Sequence, residues 1–397
     1  MDSIRLDLDF EHLLLAGSLL MVMSVLLSQA SSRVGIPSLL LFLAVGMLAG
    51  SDGPGGIHFD DPELVELLGM TSLIVILYGG GFDTRWTAVR PALARAISLA
   101  TLGVAISVVV FAALGVYLAG IPWRQALLLG AIVSSTDAAA VFGVLRSRKT
   151  PLKGRVGEIL EFESGANDPM AVFLTMALIQ MAHTEQAPSA IEFVLGFGFQ
   201  MGVGAIMGIG FGWAIGRLLG LTLSVPGLRP TLSIALALLT FSTTALAGGS
   251  GFLAVYVAGI IVGNMPFPER EDLNSFHDGI AWLAQVLMFL ALGLLVFPSR
   301  LVPLIPSGVV VAFAVIFVVR PVAVFISLAF SSSTFREKLF ISWAGLRGAV
   351  PIMLATLLLV DRAPLADEAF HLVFFVVLFS VLLQGTTIPA VARWLRL

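Results

Sequence analysis

Residues 155–183 read RVGEILEFESGANDPMAVFLTMALIQMAH. As a helix this run is long enough to cross a hydrocarbon core of roughly 30 Å, yet it carries carboxylates in its middle. Glu163 and Asn167 are four residues apart, as are Ser164 and Asp168. Both pairs therefore lie along neighbouring ridges of one helix face. That face offers a carboxylate, a hydroxyl, an amide and a second carboxylate. These are hard oxygen ligands, suited to alkali cations and not to transition metals. Pro169 removes a backbone donor and bends the helix beside them.

The rest of the chain has the same character. Hydrophobic residues make up 58% and charged residues 12%, against about 25% charged in an average soluble domain. A mean hydropathy of +1.01 leaves too few charges to cover a soluble surface. Apolar stretches of about 20 residues recur along the whole length, so the fold class is an all-α polytopic membrane protein with lipid as its surroundings. The net charge of −3 gives no argument for nucleic acid, and the absence of Cys excludes disulfides and thiolate metal sites. The first apolar run, about 11–30, follows Asp2, Asp7, Asp9 and Glu11. It lacks the basic region of a cleaved signal and reads as a retained span.

Thirteen spans are predicted, at about 9–30, 34–51, 63–81, 88–119, 124–147, 155–183, 189–221, 227–247, 250–266, 274–296, 301–330, 335–360 and 367–395. With the N-terminus outside, 16 of the 22 basic residues fall on one side, among them Arg85, Arg146, Lys149, Lys153, Arg217 and Arg336. Four fall on the other: Arg5, Arg124, Arg300 and Arg362. The positive-inside rule makes the richer side cytoplasmic and puts the C-terminus there. Acids gather on the outer loop at Asp52, Asp60, Asp61, Glu63 and Glu66, which reads as an ordinary solvated loop or as a cation-attracting vestibule. Gly204, Gly208, Gly212, Gly216 and Gly220 put a smooth groove on one face of the seventh span. Close static packing and a sliding surface both use such a groove, the first more often. An odd span count suits two inverted six-helix repeats joined by this span, with sites at mid-membrane on interrupted helices. Two interruptions correspond: Ser134-Ser135-Thr136-Asp137 in span five and Gly345-Leu346-Arg347-Gly348-Ala349-Val350-Pro351 in span twelve.

Five charges lie within spans: Asp137, Glu163, Asp168, Arg320 and Arg347. Each costs about 2.5–3.5 kcal/mol at a helix centre on insertion scales. In span five the three hydroxyls compete with the helix for backbone groups, and an unwound segment frees carbonyls for a cation. Asp137 either caps the following half-helix or touches the ion directly. Asp168 either carries the ion or pairs with Arg320 or Arg347. Three carboxylates and two guanidiniums sum to −1, which one monovalent cation or one proton neutralises. A site that either species fills describes an exchanger.

Ser135-Thr136-Asp137, the run from Phe162 to Pro169 and Gly345-Leu346-Arg347-Gly348 together resemble the monovalent cation:proton antiporter superfamily, in its Asn-Asp branch. Prokaryotic sodium/proton and potassium/proton exchangers and the animal sodium/proton exchangers belong to that branch. The resemblance covers essentially the full length. It implies a secondary active antiporter, not an enzyme, that exchanges Na+ or K+ for H+ one for one without a cofactor. Cation and proton would compete for Asp168, the only metal contact being an alkali cation there. Asn167, Ser164 and the backbone around Thr136 would shape the site, Asp137 would offset half-helix dipoles, and Glu163 would pair with Arg347. Ser135 and Arg320 are auxiliary candidates. The family implies a homodimer in a bacterial inner membrane. Its core domain, including 124–183 and 335–395, would move against a dimerisation domain within a single transmembrane unit, 1–397. The family often has Pro after Thr-Asp, where this chain has Ala138. Some relatives continue into cytoplasmic regulatory domains; these 397 residues hold none.

Two other readings stand beside the exchanger. A cation channel would build rings of charge or carbonyls from several subunits, whereas this chain has one asymmetric cluster. An intramembrane aspartyl protease would use Asp137 and Asp168 as a proton-sharing pair, but the sequence lacks that family's Tyr-Asp and Gly-x-Gly-Asp motifs. The five histidines, His12, His58, His183, His277 and His371, read as residues near span ends.

Overall fold

The computed structural model describes residues 10–34, 37–148, 150–152, 154–183, 189–221, 227–363 and 365–397. Among them every regular element is a helix. Arg5, Lys149 and Lys153, which entered the charge count, lie outside the described residues, as do the side chains of His12 and His183.

The helices are α1 (Phe10–Val34), α2 (Ser38–Ala49), α3 (Pro62–Asp83), α4 (Leu93–Leu118), α5 (Trp123–Ile132), α6 (Ala138–Ser147), α7 (Val156–His183), α8 (Ala190–Leu219), α9 (Leu228–Leu246), α10 (Gly251–Gly263) and α11 (Arg270–Leu295). Then come α12 (Pro298–Ser327), α13 (Phe335–Trp343), α14 (Ala349–Val360) and α15 (Ala366–Leu395). Helices occupy all thirteen stretches expected to span, and six of them, α3, α4, α8, α11, α12 and α15, are long and apolar enough to cross a bilayer. The fourth stretch is shorter than expected, because Trp86–Val89 forms a separate turn that ends before Pro91, a residue without a backbone donor.

Local sequence sets the helix ends. Asp61 accepts from Leu64 N at 2.9 Å and starts α3. Ser189 with Glu192 and Thr334 with Glu337 make capping boxes for α8 and α13, each satisfying two orphan donors. The acids expected on the outer loop are partly structural: Asp61 is this cap, and Asp52 accepts from Ser299 N at 3.1 Å.

Packing gathers the helices into two groups, which meet most closely where α14 lies against α3. In one, α3 packs on α10 and α11, α2 on α11, and α8 and α9 on α10. In the other, α4, α5, α6, α7 and α12 to α15 pack around the breaks in the fifth and twelfth stretches. The π-turns of α4 (Leu99–Gly103) and α12 (Val315–Val319) lie in corresponding members of the two halves read from the sequence. His277 stands seven residues into its helix. It is buried in α11, with Nε2 2.9 Å from Ser233 Oγ, which is 3.1 Å from Tyr78 Oη.

The glycine face of α8 meets α10. A Cβ built on Gly208 would lie 2.6 Å from the Ala254 carbonyl oxygen, and one on Gly212 2.9 Å from Ala258 Cα. Backbone stands against backbone there, so the groove is a close contact between α8 and α10. Gly208→Val should therefore destabilise the protein by about 1–3 kcal/mol through overpacking. Gly198, with open space around it, should accept Ala without loss; thermal unfolding in detergent checks both.

Candidate cation-binding site

Both expected breaks form. Helix α5 stops at Ile132 and α6 begins at Ala138; α13 stops at Trp343 and α14 begins at Ala349. The break in span five needs no proline after Asp137, because its polar groups find partners outside the helix. Arg347 Nη1 donates to the Ser134 carbonyl at 2.6 Å and to the Ser135 carbonyl at 2.8 Å. The Thr136 carbonyl accepts from Ser164 Oγ at 2.8 Å, and Ala138 N donates back to the same hydroxyl at 3.0 Å. Thr136 Oγ1 accepts from Asn167 Nδ2 at 2.6 Å.

The two breaks cross and bond to each other, Asp137 N donating to the Leu346 carbonyl at 2.8 Å. Asp137 caps α6, accepting from Ala140 N at 3.0 Å. Its carboxylate also fills the space where a Cβ on Gly348 would stand, just before α14. One acid thus faces the N-terminal ends of two half-helices, where negative charge is favoured. The second break is held from α15: Arg347 N donates to Ser380 Oγ at 3.2 Å, and Gln384 Nε2 donates to the Trp343 carbonyl at 2.7 Å.

The buried charges pair differently from the sequence expectation. Glu163 was expected on Arg347; it pairs instead with Arg320, whose Nη1 and Nη2 donate to its two carboxylate oxygens at 2.6 and 3.0 Å. The physical reason is competition: the opened carbonyls of Ser134 and Ser135 take Arg347, and the planar fork of Arg320 matches the Glu163 carboxylate. Gly345 makes room for that fork, since a Cβ there would collide with the Arg320 side chain. The two glycines of Gly345-Leu346-Arg347-Gly348 therefore clear space for Arg320 and for Asp137.

A cavity of about 1050 Å³ reaches this crossing. Ser135, Thr136, Asp137, Ser164 and Asp168 line its inner part; Asp83, Arg146, Thr150 and Pro151 line it elsewhere. Asp168 accepts from Ser135 Oγ at 2.5 Å and, among the described residues, has no arginine partner. Asn167 is fully buried and is not among the lining residues; it stands behind Thr136. The opposite wall holds residues that sequence reasoning missed. Tyr256 packs its ring over Gly165, Thr84 donates to Glu161 at 3.1 Å, and Asn274 and Asp278 line the same space. Asp83 and Glu161 were not singled out in the sequence, and Tyr256 is embedded in an apolar run. The signal was Gly165, a glycine inside the motif that leaves room for a ring.

A family model described as "Sodium/hydrogen exchanger, transmembrane" matches residues 19–394. The chain belongs to the sodium/hydrogen exchanger family. That family is one of transporters, not enzymes. Among relatives, the K(+)/H(+) antiporter NhaP2 of Shewanella sp. (strain ANA-3) is 46% identical over 96% of this chain and 66% of its own length. The K(+)/H(+) antiporter NhaP of Alkalimonas amylolytica is 42% identical over 97% of this chain and 67% of its own length. The chain thus spans about two thirds of the length of these relatives. The fold is similar to that of the sodium proton antiporter MjNhaP1 from Methanocaldococcus jannaschii at pH 8, with a TM-score of 0.82 and 23% identity over 96% of this chain and 99% of that one.

The pairing has a direct test. Arg320→Met leaves Glu163 buried and unpaired and should cost about 3–5 kcal/mol. Adding Glu163→Gln should recover much of that loss but none of the loss caused by Arg347→Met. Thermal unfolding of the single and double variants in detergent distinguishes the two partners.

Proposed function

We propose that this protein is an antiporter that exchanges a monovalent cation, K+ or Na+, for H+ by alternating access, with both species competing for Asp168. One observation carries the reading: Asp168 lies at the crossing, in contact with the cavity, while the neighbouring Arg320 and Arg347 are engaged elsewhere. With Glu163 and Arg320 neutralising each other and Arg347 spent on carbonyls, the Asp168 charge is left to be met by what enters the cavity. A cation and a proton each satisfy it, and an empty charged carboxylate is costly to carry across a membrane. Identity of 46% to an antiporter named for K+ and H+ favours K+ as the first ion to try.

Further parts of this reading rest on the same pattern. The protein has thirteen spans, N-terminus outside and C-terminus in the cytoplasm, in a bacterial inner membrane. The paired helix breaks support two inverted six-helix repeats linked by α8, as do the π-turns of α4 and α12, while a third π-turn, Val381–Gly385 in α15, has no counterpart in α7. The cavity includes Arg146 and Thr150, on the side that the basic residues assign to the cytoplasm, so it faces inward. Ser164, Thr136, Asp137 and Asn167 shape the ion site. The unit works as a homodimer, with the helices around the crossing as its moving core and exchange electroneutral.

Purified protein in vesicles that hold a pH dye, under an imposed proton gradient, should move protons when K+ or Na+ is added. Asp168→Asn should abolish this. Cation current without proton movement would make the protein a channel, and no response to either ion would sink the exchange mechanism.

A further inference from the structure

Around the unwound segment nearly every polar group already has a partner. The carbonyls of Ser134 and Ser135 accept from Arg347, and that of Thr136 from Ser164. The Thr136 hydroxyl accepts from Asn167. The Ser134 hydroxyl turns back to the Ala131 carbonyl at 2.6 Å. Asp137 N is held by Leu346 and the Asp137 carboxylate by Ala140 N. The expectation of free carbonyls for a cation is therefore not what the loop offers. One side chain of the segment points its polar atom at the reactive carboxylate: Ser135, whose Oγ donates to Asp168 Oδ1 at 2.5 Å.

Resting on the exchange reading, we propose that the Ser135 hydroxyl is a direct cation ligand of this site, occupying Asp168 while it is empty and turning its oxygen to the cation when one binds. A hydroxyl suits all three states of the carboxylate, because it has one donor and two acceptor lone pairs and rotates freely. It donates to the ionised carboxylate, accepts from the protonated one, and presents a hard oxygen to an alkali cation. Its backbone does not move in the exchange of partners, because Arg347 holds the Ser135 carbonyl at 2.8 Å. Rotation about one side-chain bond is then the whole local response to binding. Ser135 is nearly fully buried and lines the cavity beside Asp168, so an entering ion meets both oxygens together.

The test uses proteoliposomes and K+ titrations with the pH dye. Cation-driven proton movement by the unaltered protein comes first; without it the exchange reading itself fails, whatever Ser135 does. Given exchange, Ser135→Ala should raise the half-saturating K+ concentration on the order of tenfold, the scale of one hydrogen bond to a charged group. The maximal rate should fall by less. Ser135→Thr, which keeps a hydroxyl, should return the half-saturating concentration towards the original value. Ser135→Cys, similar in size but with a soft sulfur in place of oxygen, should behave like Ser135→Ala. An unchanged half-saturating concentration in Ser135→Ala, or equal values for the Thr and Cys variants, overturns the proposal. If Ser135→Ala does not fold, the Thr and Cys pair decides alone.

Discussion

Arg347 holds open the carbonyls of Ser134 and Ser135, and the rest of the site depends on that contact. A continuous helix would have used both carbonyls for its own ladder. Inside a membrane, unpaired backbone groups cost several kcal/mol each, so an unwound segment persists only where protein supplies the missing partners. A buried guanidinium does so at the C-terminal end of α5, where positive charge is favoured, while Asp137 answers the N-terminal ends of α6 and α14. The two breaks are thus compensated electrostatically as well as by hydrogen bonds. The residues are drawn from both: Arg347 of one break serves the other, and Asp137 does the reverse.

This arrangement decides which acid stays available. The five charges Asp137, Glu163, Asp168, Arg320 and Arg347 make several pairings conceivable, but geometry removes most of them. Arg347 is committed to backbone, Asp137 to helix ends, and Glu163 to the bidentate fork of Arg320. The Glu163–Arg320 pair joins α7 to α12, so it braces the helix that carries Asp168 without touching the cavity. Of the three acids at the crossing, Asp168 alone lines the cavity with neither an arginine partner nor a helix end to cap.

The fold class, the helical stretches and the two breaks were legible in the sequence because each leaves a local signature. Apolar runs give spans, and clustered hydroxyls or glycines give interruptions. Asp168, Ser164, Thr136 and Asp137 were legible as a shared site because helical spacing and motif place them together. Partner choice was not. Arg320 and Arg347 are equivalent by composition, and only the three-dimensional competition between carbonyls and a carboxylate separates them. Asn167, read as helping to shape the site, lies outside the cavity lining and holds Thr136 from behind. The far wall, with Tyr256 and Asp83, was invisible because α10 and α3 reach the crossing from distant sequence.

That far wall bears on how exchange proceeds. The crossing is tied together by hydrogen bonds at nearly every residue from Ser134 to Ala138, so it resists internal rearrangement. Across the cavity the contacts are of another kind: the ring of Tyr256 lies over Gly165, and one hydroxyl, Thr84, reaches Glu161. A smooth glycine surface and a single neutral-to-acid bond are easier to break than a bidentate ion pair. Under the exchange proposed above, the motion that changes the side to which Asp168 is open would fall at this seam, where α7 and α14 face the α3–α10 wall. The bonded crossing would then carry its occupant as a unit.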